Sequence, residues 1–195
     1  MNLSDFFSSL DLFDVFFLLY LFAWFVAGFV QGTVRRVVGI ASMVFSFFLA
    51  AQINEAWLGG FLAQNWTQFP PEYAYMIGFL TLFVAGVVAF TLVIQGTYRK
   101  APLWPKYPVI DEVLGGVVGI LQGFLLIMFL VIILDQYFLY INLPENPNEI
   151  GILRSFWNVV NDSGTGVLLH QTVIPGFVAI TAFLIPEQVR KLYAT

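Results

Sequence analysis

The chain has 195 residues, 59% of them hydrophobic and only 10% charged, against about 25% charged in ordinary soluble domains. A mean hydropathy of +0.85 and a net charge of -4 leave no room for a sizeable soluble domain and supply no basic surface for nucleic acid. Cysteine is absent, which excludes disulfides and thiolate metal sites.

A membrane crossing needs about 20 apolar residues. The composition therefore predicts an all-α fold, a polytopic transmembrane helix bundle occupying residues 1–195 as one membrane domain. The first twelve residues carry Asp5 and Asp11 and no cation, so no cleavable signal peptide is expected there. Spans are expected at about 12–31 and 37–53, forming a first hairpin, and at about 73–95 and 113–140, forming a second. A parallel duplication would explain two hairpins of one orientation.

Between the hairpins, Trp57, Phe61 and Trp66 recur at spacings of four and five, the pattern of a short interfacial helix with its aromatic side toward lipid. The connection after the third span carries Pro102, Trp104, Pro105 and Pro108 with cations, and is expected to lie irregularly at the headgroups. The fourth span is long for a hydrocarbon core of about 30 Å, so it should tilt or project. After it, residues 166–186 are apolar but interrupted by Pro175 and Gly176, which predicts a broken, re-entrant or interfacial C-terminal segment.

Arg35 and Arg36 follow span one, and Arg99, Lys100 and Lys106 follow span three. Those connections should face the cytoplasm. The other two connections carry Glu55, Glu72, Glu145, Glu149 and Asp162 against Arg154 alone, which puts them, and the N-terminus, outside.

Glycines recur every fourth residue at Gly115, Gly119 and Gly123, and Gly28 and Gly32 repeat that spacing at the end of span one. Each glycine costs a helix interior roughly 1 kcal/mol relative to alanine. Rows of them make sense where backbones approach within lipid, so spans one and four should each have a close partner.

Polar residues within spans are functional suspects because they are costly in lipid. Asp14, Gln31, Gln52, Gln95 and Asp135 lie near span ends; for Asp14 and Asp135 this suggests solvated positions on the outer side. Gln122 is deeper, beside the glycine row, and suits an interhelical hydrogen bond worth about 0.6 kcal/mol or, with Asp135, part of a polar path. His170 has no second His or Cys for a metal. Ser163 has no base other than that histidine. No catalytic residue, cofactor site or metal site is expected.

Asp111, Glu112, Val113, Leu114 and Gly115, then Gly119, Gln122 and Gly123, together resemble the D-R-x-L-G-x-x-x-G-x-x-R-G signature of the colicin V production protein (CvpA) family of bacterial inner-membrane proteins. Gly28, Gln31, Gly32 and Arg35 resemble the family's first-hairpin motif, and the resemblance runs over about residues 12–141. Glu112, Gln31 and Gln122 depart from it, standing where arginine is common. The resemblance implies a membrane protein associated with toxin production or export and envelope stress tolerance, and no catalytic residue. Its implied partners are the lipid bilayer, further copies of the chain, or secretion and envelope proteins. A small oligomeric channel or transporter is the alternative.

Overall fold

A computed structural model describes residues 11–97, 108–139, 149–185 and 187–193. Among these residues the chain is helical and has no strand. Arg99, Lys100, Pro102, Trp104, Pro105, Lys106 and Glu145 lie outside the described residues, as does the side chain of Gln95.

Four helices are long and apolar enough to cross a membrane: α1 (Leu12–Gln31), α2 (Thr33–Ile53), α4 (Pro71–Thr97) and α5 (Pro108–Phe138). A single glycine separates α1 from α2. Gly32 has φ +81°, a left-handed backbone in which a side chain would be strained, so the turn needs glycine. Its φ ends one helix and starts the next within one residue.

α5 has 31 residues and begins at Pro108, the favoured first helical residue because the missing N–H has no partner there anyway. At 1.5 Å per residue it is roughly 46 Å long, which requires tilt or projection beyond the hydrocarbon. Hairpin neighbours are not the closest partners. α1 packs most extensively on α5, and α2 on α4, so the two hairpins interleave.

α3 (Leu58–Asn65) is a short helix between the hairpins, where the aromatic spacing predicts one. Trp57 and Phe61 are exposed while Gly59, Gly60 and Leu62 are buried, which turns the aromatic face outward. Gly59 and Gly78 let α3 lie directly on α4, since a Cβ at Gly78 would stand 2.6 Å from the Gly59 Cα.

The mid-bundle core is phenylalanine. Phe47 stacks on Phe129 at 4.3 Å between centroids, and Phe79, Phe83 and Phe177 surround that pair. Offset and edge-on arrangements let many rings fill one space without facing their quadrupoles directly.

The region after α5 differs from the expected plain connection. α6 (Gly151–Asn161) is an amphipathic helix whose Leu153, Phe156, Trp157 and Val160 repeat at helical spacing and pack on the core. α7 (Gly164–Leu168) then runs through a π turn (Leu169–Val173) into α8 (Ile174–Ile180). The break expected at Pro175 and Gly176 lies earlier, between α6 and α7, where the axis bends by 78°.

The π turn supplies the physical reason. Proline lacks an N–H and its ring collides with the carbonyl four residues back; widening the preceding turn to an i→i+5 register lets the helix continue past it. α8 buries Ile174 and Val178, and Phe177 joins the aromatic core. A last helix, α9 (Glu187–Leu192), buries Val189.

Truncating a ring at the centre of this core removes dispersion contacts that nothing can refill. Phe129→Ala should lower stability by about 3 kcal/mol, measured as thermal unfolding in detergent. Ile152→Ala, at a position 75% exposed, should change it by less than about 0.5 kcal/mol; equal effects would contradict the packing described.

Candidate functional site

The glycine rows of α1 and α5 face each other. A Cβ at Gly28 would strike the Gly115 carbonyl, and one at Gly115 would lie 2.6 Å from the Gly28 carbonyl oxygen. A Cβ at Gly119 would strike the Trp24 carbonyl, while at Gly123 it would lie 2.7 Å from the Trp24 ring. Spans one and four are thus each other's partner, in contact backbone to backbone.

The seam is locked at the α1–α2 turn. Thr33 Oγ1 donates to the Asp111 carbonyl at 2.8 Å, and the buried Asp111 carboxyl lies so close that a Cβ at Gly32 would be 2.7 Å from its Oδ2. Further along, Tyr20 donates to the Gly123 carbonyl at 3.1 Å. Gly28, Gly32, Asp111, Gly115, Gly119 and Gly123 thereby form one structural unit. Arg35 stands just beyond it.

Beside the seam, a cavity of about 400 Å³ lies between α1, α2, α4 and α5, lined among others by Tyr20, Trp24, Gln31, Arg35, Arg36 and Gln122. Arg36 is only 5% exposed. Its Nη1 donates to Gln122 Oε1 at 2.9 Å, and its guanidinium lies 4.9 Å from the centre of the Trp24 ring. Gly39 makes room for the Gln122 amide, which a Cβ there would approach to 2.8 Å. Gln31 and Gln122, two of the positions where the resemblance leads one to expect arginine, line this same cavity.

Arg36 escaped the sequence reading because it looked like a topogenic charge. A signal was present: Arg36, Met43, Phe47 and Ala50 share one helical face, and all are buried. An arginine on the buried stripe needs a partner inside the bundle.

At the opposite end, Asp135 and Asp14 correct the expectation of solvated carboxylates. Asp135 is fully buried. Trp157 Nε1 donates to its Oδ1 at 2.7 Å, His170 Nε2 approaches Oδ2 at 3.0 Å, and the Tyr193 hydroxyl donates to Oδ2 as well. The other ring nitrogen of His170 faces the Gly166 carbonyl at 3.0 Å. Both ring nitrogens of His170 thus face an oxygen acceptor.

Asp14, 6% exposed, accepts from the backbone N–H and the hydroxyl of Thr165 at 2.9 and 2.6 Å. It ties the start of α1 to the start of α7. The missed partners Trp157, His170 and Tyr193 sit far from Asp135 in sequence and on no common repeat, so only the folded chain brings them together. Buried carboxylates need such donors because an unpaired buried charge is very costly.

Asp135 stands apart from the cavity that Gln122 lines. The phenylalanine core around Phe129 lies between them on α5, and Asp135 lines neither the large cavity nor a smaller one of about 130 Å³ at Gln52, Asn54, Glu55 and Gln136. Ser163 Oγ donates to the Val160 carbonyl at 2.6 Å and accepts from Gly166 N–H at 3.0 Å, which makes it the N-cap of α7. Among the described residues no three His, Asp or Glu converge as a metal site requires.

The seam predicts a sharp contrast between two glycines. Gly28→Ala should separate α1 from α5 and abolish the folded, monodisperse protein in detergent. Gly176→Ala, where nothing lies within 4 Å, should leave stability unchanged or raised by up to about 1 kcal/mol. For the outer cluster, a double-mutant cycle of Asp135→Asn and His170→Gln should show a coupling of at least about 1 kcal/mol; additive effects would mean that the pair does not interact.

The family model described as "Colicin V production protein" matches residues 13–155. No curated protein matches the chain, and no solved structure does.

Proposed function

The chain belongs to the colicin V production protein family, and on that premise we propose that it is a non-catalytic, multi-pass protein of the bacterial inner membrane that supports toxin production and secretion, or envelope homeostasis, by presenting a rigid helical scaffold to partners. The observation that carries this reading is the family match, which covers all four long helices and the seam that joins α1 to α5. Side-chain chemistry supports it. Ser163 is committed to a cap and His170 to Asp135 and Gly166, so neither serves to activate the other.

The proposed orientation has the N-terminus outside and the α1–α2 turn in the cytoplasm, as the distribution of Arg and Lys suggests. Two contacts support its consistency: Asp14 meets Thr165 at the end assigned outside, and Thr33 meets Asp111 at the end assigned inside. The proposed partners are lipid, further copies of this chain, and secretion or envelope proteins, not nucleic acid. A small oligomeric channel or transporter is favoured only by the cavity that reaches Gln122. Asp135 does not line that cavity, so in this alternative the route is completed between copies.

Because the chain has no cysteine, single cysteines report topology without background. Lys106→Cys and Glu145→Cys should label from opposite faces of the membrane, and labelling from the same face would reject the orientation. In a colicin V producer lacking this chain, the wild type should restore secreted toxin, Ser163→Ala should restore it equally, and Gly28→Ala should not. Loss of production in a folded Ser163→Ala protein would argue for chemistry at that residue.

A further inference from the structure

We propose that the cavity beside the seam binds a net-anionic phospholipid, its phosphate held by Arg35 and Arg36 and its tail laid against the apolar wall of Ala23, Ala27 and Ile94. Charge is the first argument. Two guanidinium groups and the amides of Gln31 and Gln122 line the cavity, and among the described residues no carboxylate does. Arginine suits phosphate because its planar fork of N–H donors matches two oxygens at once.

The state of Arg36 is the second, independent argument. It is 95% buried, taking its 5% exposure from full exposure. Nη1 is engaged by Gln122 and one face by Trp24, yet Nε has no hydrogen-bond partner among the described residues. A buried donor on a charged group without an acceptor is unfavourable. An oxyanion in the cavity that Arg36 lines would supply that acceptor and balance the charge. The Trp24 ring and Gln122 hold the guanidinium in place beforehand, so little order is lost on binding.

Shape separates a lipid from free phosphate. The lining residues of α1 run from Gln31 to Tyr20, eleven residue steps that rise roughly 16 Å along the helix. The arginines line only part of it, with the Arg36 guanidinium level with Trp24. Beside them Ala23, Ala27 and Ile94 form an apolar trench, and the Tyr20 hydroxyl is already spent on the Gly123 carbonyl. Free phosphate has no use for that trench, whereas an acyl chain fills it.

The test is lipid retention by the purified full-length protein in neutral detergent, read by native mass spectrometry. Phosphatidylglycerol and phosphatidylcholine with identical chains are compared, and inorganic phosphate is tried as a competitor. Phosphatidylglycerol should be retained at about tenfold lower concentration than phosphatidylcholine. Arg35→Gln should erase the difference without depending on the buried Arg36, whose replacement risks unfolding. Ala27→Leu, which fills the trench and spares both arginines, should weaken phosphatidylglycerol by about tenfold and leave competition by phosphate intact. Equal retention of the two lipids, or a preference untouched by Arg35→Gln, would overturn the site. Phosphate competition combined with an unaltered Ala27→Leu protein would overturn the lipid and reduce the site to an anion pocket.

Discussion

The bundle depends on the approach of two backbones. α1 and α5 touch where neither carries a side chain, and the positions of the other elements follow from that contact. The hydrophobic effect does not draw helices together inside lipid, because tails are as apolar as leucine; close packing must do the work instead. Glycine rows maximise such packing by letting main-chain atoms meet. With α1 and α5 fixed, Gly32 can turn the chain in one residue, Asp111 can lie against that turn, and α2 is delivered beside α5 with Arg36 facing Gln122.

Polar groups gather on either side of a phenylalanine core. On one side a pair of arginines and two glutamines surround a cavity; on the other, one carboxylate collects donors from α6, the π turn and the C-terminal turn. Each arrangement answers the same cost. A charge withdrawn from water must be given partners, and Asp135 has them within the chain, while Arg36 has them only in part. This difference separates a structural anchor from a receptive site.

The spans were legible because each is a long uncharged run, and the seam because Gly28, Gly32, Gly115, Gly119 and Gly123 keep a four-residue spacing. Pairing was not legible: a glycine row announces a close neighbour without saying which helix it is, and α1 met α5 instead of its hairpin mate. Asp14 and Asp135 were misread as solvated, because distance from a span end describes depth and not what packs around it. The helix α6 was overlooked for want of length, although Leu153, Phe156, Trp157 and Val160 mark its inner face. The helix that continues through Pro175 shows that a proline can be accommodated by the register of the preceding turn, which residue type alone does not reveal.

The seam also orders events during synthesis. Arg36 and Gln122 are separated by 86 residues, and the glycine rows are similarly far apart. At about 5–20 residues per second, α1 waits roughly 4 to 17 s for α5 to emerge. Throughout that interval its glycine face lies open in the bilayer with its eventual partner unmade. A chaperone-like neighbour, or a second nascent copy, has that long to occupy the groove, so the chain is most exposed to mispairing while it is still attached to the ribosome.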